Sequence, residues 1–68
     1  MARGIIRDIE ESAKPGRWWL HFQDDMYCYI DKTWKDLLER NYNNSIRGKP
    51  IRYYLDTEQT IFLIKYGW

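Results

Sequence analysis

Valine is absent from the 68 residues, and cysteine, histidine and proline are scarce, at one, one and two. A single cysteine, Cys28, excludes an internal disulfide framework. The chain therefore folds on its apolar core, on a partner or on self-association. One Cys and one His cannot supply the four ligands of a structural zinc site. No apolar run approaches the length of a membrane-spanning helix. Charge resumes at Arg7 before any leader-like apolar segment develops, so no secretion leader is expected and a reducing, cytoplasmic setting follows. There is no excess of either charge: 11 Lys+Arg face 10 Asp+Glu, a net +1. That removes a globally polybasic or acid-mimicking surface. No Gly-rich phosphate loop, paired catalytic carboxylates or Ser/His/Asp set is visible, and a non-enzymatic protein without cofactor or metal is expected.

Aromatic residues are what the chain has instead. Trp, Tyr and Phe number 12, or 18% of the residues. A chain this short buries only about 60% of the surface its unfolded form exposes. Each aromatic removes roughly 150–250 Å² from water, so a few can replace many aliphatics. A ligand is the other reason to keep them.

Residues 1–68 read as one small domain. Gly4 to Ala13 fits a strand or a helix, since Ile5 and Ile9 share a face either way. β-branched Ile and the lack of a preceding N-cap favour the strand. Lys14-Pro15-Gly16 breaks it. Arg17–Gln23 alternates Trp18, Leu20 and Phe22 against Trp19, His21 and Gln23. Asp24-Asp25 is a turn, and Met26–Asp31 alternates Met26, Cys28 and Ile30 against Tyr27 and Tyr29. Thr33, with Asp36 three residues on, predicts a capped helix over 34–42 with Trp34, Leu38 and Tyr42 on one face. Asn43-Asn44-Ser45 ends it. Beyond Pro50, Ile51, Tyr53 and Leu55 alternate with Arg52 and Tyr54. Asp56–Gln59 is a turn, and Thr60–Tyr66 reads as the last strand, its apolar run Ile61–Ile64 that of a strand covered on both sides.

This order is that of a mainly β protein: a five-stranded OB-like or SH3-like barrel with one helix between strands 3 and 4. If residues 4–13 were helical, the fold would be α+β with an N-terminal helix.

The side-chain period of two makes the hairpin's loop length decisive. An odd loop, such as Asp24-Asp25-Met26, pairs Phe22 with Cys28 and Leu20 with Ile30. It places Trp18, Leu20, Phe22, Cys28 and Ile30 on one side and Trp19, His21, Tyr27 and Tyr29 on the other. An even loop mixes the two sets and makes His21 and Cys28 neighbours. The odd loop gives the better core, although such loops usually carry Gly at the last position.

Gly16-Arg17-Trp18-Trp19-Leu20-His21-Phe22 and Met26-Tyr27-Cys28-Tyr29-Ile30 resemble the two aromatic motifs of the cold-shock-type OB-fold family, over residues 4–30. The resemblance implies a small barrel that stacks bases on Tyr27 and Tyr29.

Charge points the same way. Residues 1–31 carry 4 basic and 6 acidic groups, and residues 32–68 carry 7 and 4. No acid lies between Arg40 and Leu55. The expected function is binding of single-stranded nucleic acid or RNA. Trp19, His21, Tyr27, Tyr29 and Tyr54 would stack bases, and Arg17, Arg40, Arg47, Lys49 and Arg52 would hold phosphates. The alternative is a protein-interaction module, such as a small phage or mobile-element regulator, using the same patch. Self-association is a version of it, because Trp, Tyr and Arg are equally at home in protein interfaces.

Overall fold

The structure, a computed structural model, describes all 68 residues. The strand reading of the N-terminal segment holds and the helical alternative fails. β1 spans Ala2–Glu11 and β2 Arg17–Phe22, followed by β3, Tyr27–Asp31, the helix α1, Lys32–Asn41, β4, Pro50–Leu55, and β5, Ile61–Tyr66. All five strands join one antiparallel sheet in the order β3-β2-β1-β4-β5.

β1 serves two partners. Its first half pairs with β4 and its second with β2, and a register shift lies between Ile6 and Asp8. A bulge of this kind bends the strand and reverses which alternate residues face inward. Gly4 and Ile6 are therefore buried before it, while Ile9 packs on the core after it. The sequence placed Ile5 and Ile9 on one face, because periodicity does not register an inserted residue.

The expected barrel is not closed. Its edge strands, β3 and β5, meet only at the parallel bridge Tyr29–Thr60, where the Tyr29 N–H donates to the Gln59 carbonyl at 2.9 Å. α1 packs against both of these strands and covers the core there. Fully buried Leu38 is its central contact, with Trp34 and Tyr42 beside it. Full burial of a leucine such as Leu38 contributes roughly 1.5–3 kcal/mol.

The helix begins earlier than its capping pattern suggested. Asp31, not Thr33, is the N-cap: its Oδ1 accepts from the Trp34 N–H at 2.9 Å. An anionic acceptor there satisfies an orphan donor and suits the helix dipole. Asp31 is also the last residue of β3, so strand and helix join without a loop. The Asn44 N–H bonds the Glu39 carbonyl at 2.7 Å, past the helix end, with Asn43 and Asn44 at positive φ.

The core is built on Phe22, Leu20, Ile30, Ile51 and Ile61. Phe22 and Tyr53 stack within it at 4.7 Å, their planes 4° apart. Cys28 is a small buried hydrophobe, and burial pushes its thiol up to about 12.

β5 departs from the expectation of a strand covered on both faces. Ile61 and Ile64 are buried, but Phe62 is 54% and Leu63 37% exposed. A register shift between Tyr54 and Leu55 inserts Phe62 as an unpaired residue. Phe62 is therefore not core filling.

Candidate functional site

The β2–β3 hairpin decides which aromatic residues share a face. Its observed partners are Trp19↔Tyr29, Leu20↔Cys28 and His21↔Tyr27. The parity is the odd one, although the register is two residues from Leu20 opposite Ile30. The Phe22 N–H donates to the Met26 carbonyl at 2.8 Å, so the loop is Gln23-Asp24-Asp25. Asp25 occupies the position where glycine is customary, at φ 67°. Aspartate tolerates this left-handed conformation better than most residues. Asp24 Oδ1 accepts from the Met26 N–H at 3.1 Å and holds the turn.

Trp19, His21, Tyr27 and Tyr29 consequently point away from the core. Trp19 and Tyr29 stack at 4.1 Å with planes 24° apart. Tyr27 meets Trp19 edge-on at 5.2 Å and is 54% exposed, the most open ring of the group. His21 lies 6.0 Å from Tyr27, and its Nε2 is 2.8 Å from Glu10 Oε1. His21 and Cys28 fall on opposite faces, so no thiol–imidazole pair forms.

Two cations frame the rings. Lys14 Nζ lies 5.4 Å and the Arg17 guanidinium 5.6 Å from the Tyr29 centroid, within cation–π range. Arg17 also contacts Glu58 at 3.3 Å. Sequence reasoning named Arg17 but missed Lys14, which reaches Tyr29 only through the turn after β1. It also missed Glu10, which β1 pairing sets directly beside Trp19.

The remaining expected residues lie elsewhere. Arg52 and Tyr54 are on β4, separated from β2 by β1. Tyr54 meets exposed Phe62 at 6.0 Å. Arg40 is in the last turn of α1, and Lys49 Nζ is 6.0 Å from the Tyr42 ring. Arg47 bonds Asp8 at 2.9 Å in a cleft between β1 and the α1–β4 loop. That hydrogen bond, helped by the Ile9 N–H, holds the Asp8 carboxyl below its ordinary range. The basic run from Arg40 to Arg52 is thus dispersed over helix, loop and strand.

The same dispersal applies to the acids of the hairpin. Asp24 holds a turn, Asp25 pairs with Arg7 at 3.2 Å and Asp31 caps α1. No three His, Cys, Asp or Glu side chains gather as a metal cluster. No helix is long and apolar enough to cross a membrane. No protein-family profile, no curated protein and no solved structure matches this chain.

Proposed function

We propose that this protein is a small cytoplasmic, non-enzymatic binding module of OB-like architecture that takes single-stranded nucleic acid, RNA included, on the outer face of β2 and β3. The observation that carries the reading is the cluster of Trp19, Tyr27 and Tyr29 on the solvent side, with Lys14 and Arg17 against it. The core does not need these rings. Flat aromatic groups accept bases of any sequence, at about 1–3 kcal/mol per base. Tyr27 offers the freest ring, and the Trp19–Tyr29 stack is the rigid floor beside it. Lys14 and Arg17 meet the phosphates.

The OB-like reading draws on the strand order, the helix between β3 and β4 and the parallel approach of β3 to β5. A partly open five-stranded barrel whose β2–β3 face binds oligonucleotides has these features. The cytoplasmic assignment draws on the single buried cysteine.

Titration with a short oligothymidylate at low and physiological salt, read by tryptophan fluorescence, tests the reading. Saturable quenching that weakens with salt supports it. Trp19→Ala and Tyr27→Ala abolish that quenching while the far-UV circular dichroism stays unchanged. No binding at low salt overturns it.

A protein partner is the second reading, and the carboxylates Glu10 and Glu58 beside the ring cluster favour it. They lower the positive potential that a phosphate backbone seeks. A stable dimer in light scattering, with no oligonucleotide bound, supports this alternative.

A further inference from the structure

The sheet assembles a row of like charge that no stretch of sequence contains. Arg3 on β1 pairs directly with Arg52 on β4, and Arg52 with Lys65 on β5. Directly opposed residues project to the same side of a sheet. The three cations therefore form a line across three adjacent strands, on the outer face. Strands lie roughly 4.8 Å apart, so the line extends over about 10 Å.

None of the three has a carboxylate partner. Elsewhere in the molecule Arg7, Arg17, Lys32, Lys35 and Arg47 are each ion-paired, and Lys14, Arg40 and Lys49 are unpaired but scattered. Arg52 Nε is buried without a hydrogen-bond partner. Like charges directly opposite one another across strands are unfavourable, and a small domain has little stability to spare for them.

The flanks of the row are apolar and aromatic. Trp68, 57% exposed, lies against the Arg3 guanidinium at 5.8 Å. Tyr54 and Leu63 are paired across β4 and β5, two residues along from Arg52 and Lys65. Phe62 adjoins Tyr54.

We infer that the Arg3–Arg52–Lys65 row is a second contact surface for single-stranded nucleic acid, with phosphates along the cations and bases against Trp68, Tyr54 and Phe62. Charge complementarity selects a polyanion, and the flanking rings select one that carries flat bases. The inference takes its ligand from the proposed function, but its residues lie on β1, β4 and β5, apart from the β2–β3 rings on the same outer side of the sheet. The cations here have no carboxylate partner, whereas Glu10 and Glu58 stand among the β2–β3 rings and cations.

The test is the triple variant Arg3→Gln, Arg52→Gln, Lys65→Gln, titrated with a labelled oligothymidylate over a range of salt. Each phosphate contact on a single strand adds about 0.7 to the slope of log affinity against log salt. The variant is expected to lose about 2 from that slope. Wild-type affinity then falls about 20-fold more than the variant's between roughly 50 and 200 mM salt. The melting temperature stays level or rises, because repulsion is relieved. In the wild type, Trp68→Phe removes part of the quench and Trp19→Phe removes a different part. A polyglutamate peptide does not displace the oligonucleotide.

An unchanged slope and affinity overturns the inference, as does displacement by polyglutamate, which would make the surface a site for acidic protein. The two surfaces separate cleanly. Loss of binding in Trp19→Ala with none in the triple variant sinks this surface and keeps the first. Loss in the triple variant with none in Trp19→Ala does the reverse.

Discussion

Trp19 and Tyr29 stand directly opposite each other on β2 and β3, and their rings stack at 4.1 Å on the solvent side of the sheet. The contact joins the outer aromatic face to the fold. The Tyr29 N–H is also the donor that ties edge strand β3 to Gln59, ahead of β5. A cross-strand aromatic pair of this kind contributes about 0.5–1.5 kcal/mol beyond its burial. With the half-buried ring's own burial added, Tyr29→Ala should lower stability by about 1–2 kcal/mol and leave the chain folded. Equilibrium urea denaturation measures this. A loss above roughly 3 kcal/mol, the range of a truncated core aromatic, would mean that the ring is core.

Gly4 should not accept a side chain. A Cβ there would fall 2.8 Å from Phe22 Cγ and Cε1, and closer still to Cδ1. The Phe22 ring cannot swing away, because it is fully buried and stacked on Tyr53. Gly4→Ala is expected to cost about 1–3 kcal/mol by overpacking. At about 4–8 °C per kcal/mol for a domain of this size, calorimetry will register it. Adding Phe22→Leu should recover part of the loss. A single variant as stable as wild type would show that β1 and β2 are less tightly apposed.

Asp31 ends a strand and starts a helix in one residue. Asp31→Ala should cost about 0.5–2 kcal/mol, the usual value of a helix N-cap. Asp31→Asn should recover most of it, since its amide oxygen can accept the same Trp34 N–H. Thr33→Ala should have little effect. If Thr33→Ala proves the more damaging in thermal melts, Thr33 is the true cap.

Alkaline pH should destabilise the protein through groups buried in their neutral forms. Burial pushes the Cys28 thiol from 9.0 to about 12, and the Tyr53 phenol from 10.0 to about 12. Both are protonated in the folded and unfolded chains at pH 7. Between about pH 9 and 12 the unfolded chain releases these protons first, so it binds fewer protons than the native state and stability falls with pH. For the thiol the full loss is on the order of 3–4 kcal/mol. The urea midpoint of the wild type should decline more steeply above pH 9 than that of Cys28→Ala. Parallel declines would show that the thiol does not contribute.

Much of the fold is legible in the residues. Alternation in Arg17–Phe22, Tyr27–Asp31 and Pro50–Leu55 marks three strands, because a half-buried sheet imposes a period of two. The face shared by Trp34, Leu38 and Tyr42 marks the helix, since only a helix turn aligns them. The separation of Trp19, His21, Tyr27 and Tyr29 from Leu20, Phe22, Cys28 and Ile30 follows from loop parity. It was readable even with the register two residues off, because a shift of two preserves faces.

What eluded that reading arises wherever the chain departs from a regular period or depends on distant pairing. The bulge in β1 and the unpaired Phe62 in β5 each interrupt alternation by one residue. Lys14 reaches Tyr29, and Glu10 stands beside Trp19, only because β1 folds against β2. Arg40, Arg47, Lys49 and Arg52, neighbours in sequence, are carried apart by a helix end, a loop and a strand.

Local sequence by itself determined the strands β2, β3 and β4, the helix α1 and which side of those three strands is apolar, because these depend on periods of two and 3.6 along the chain. The tertiary structure alone decided that the sheet stays open at β3 and β5 and that Arg3, Arg52 and Lys65 stand in one row. Those features are set by pairing between strands far apart in the chain, and a local pattern carries no record of its partner.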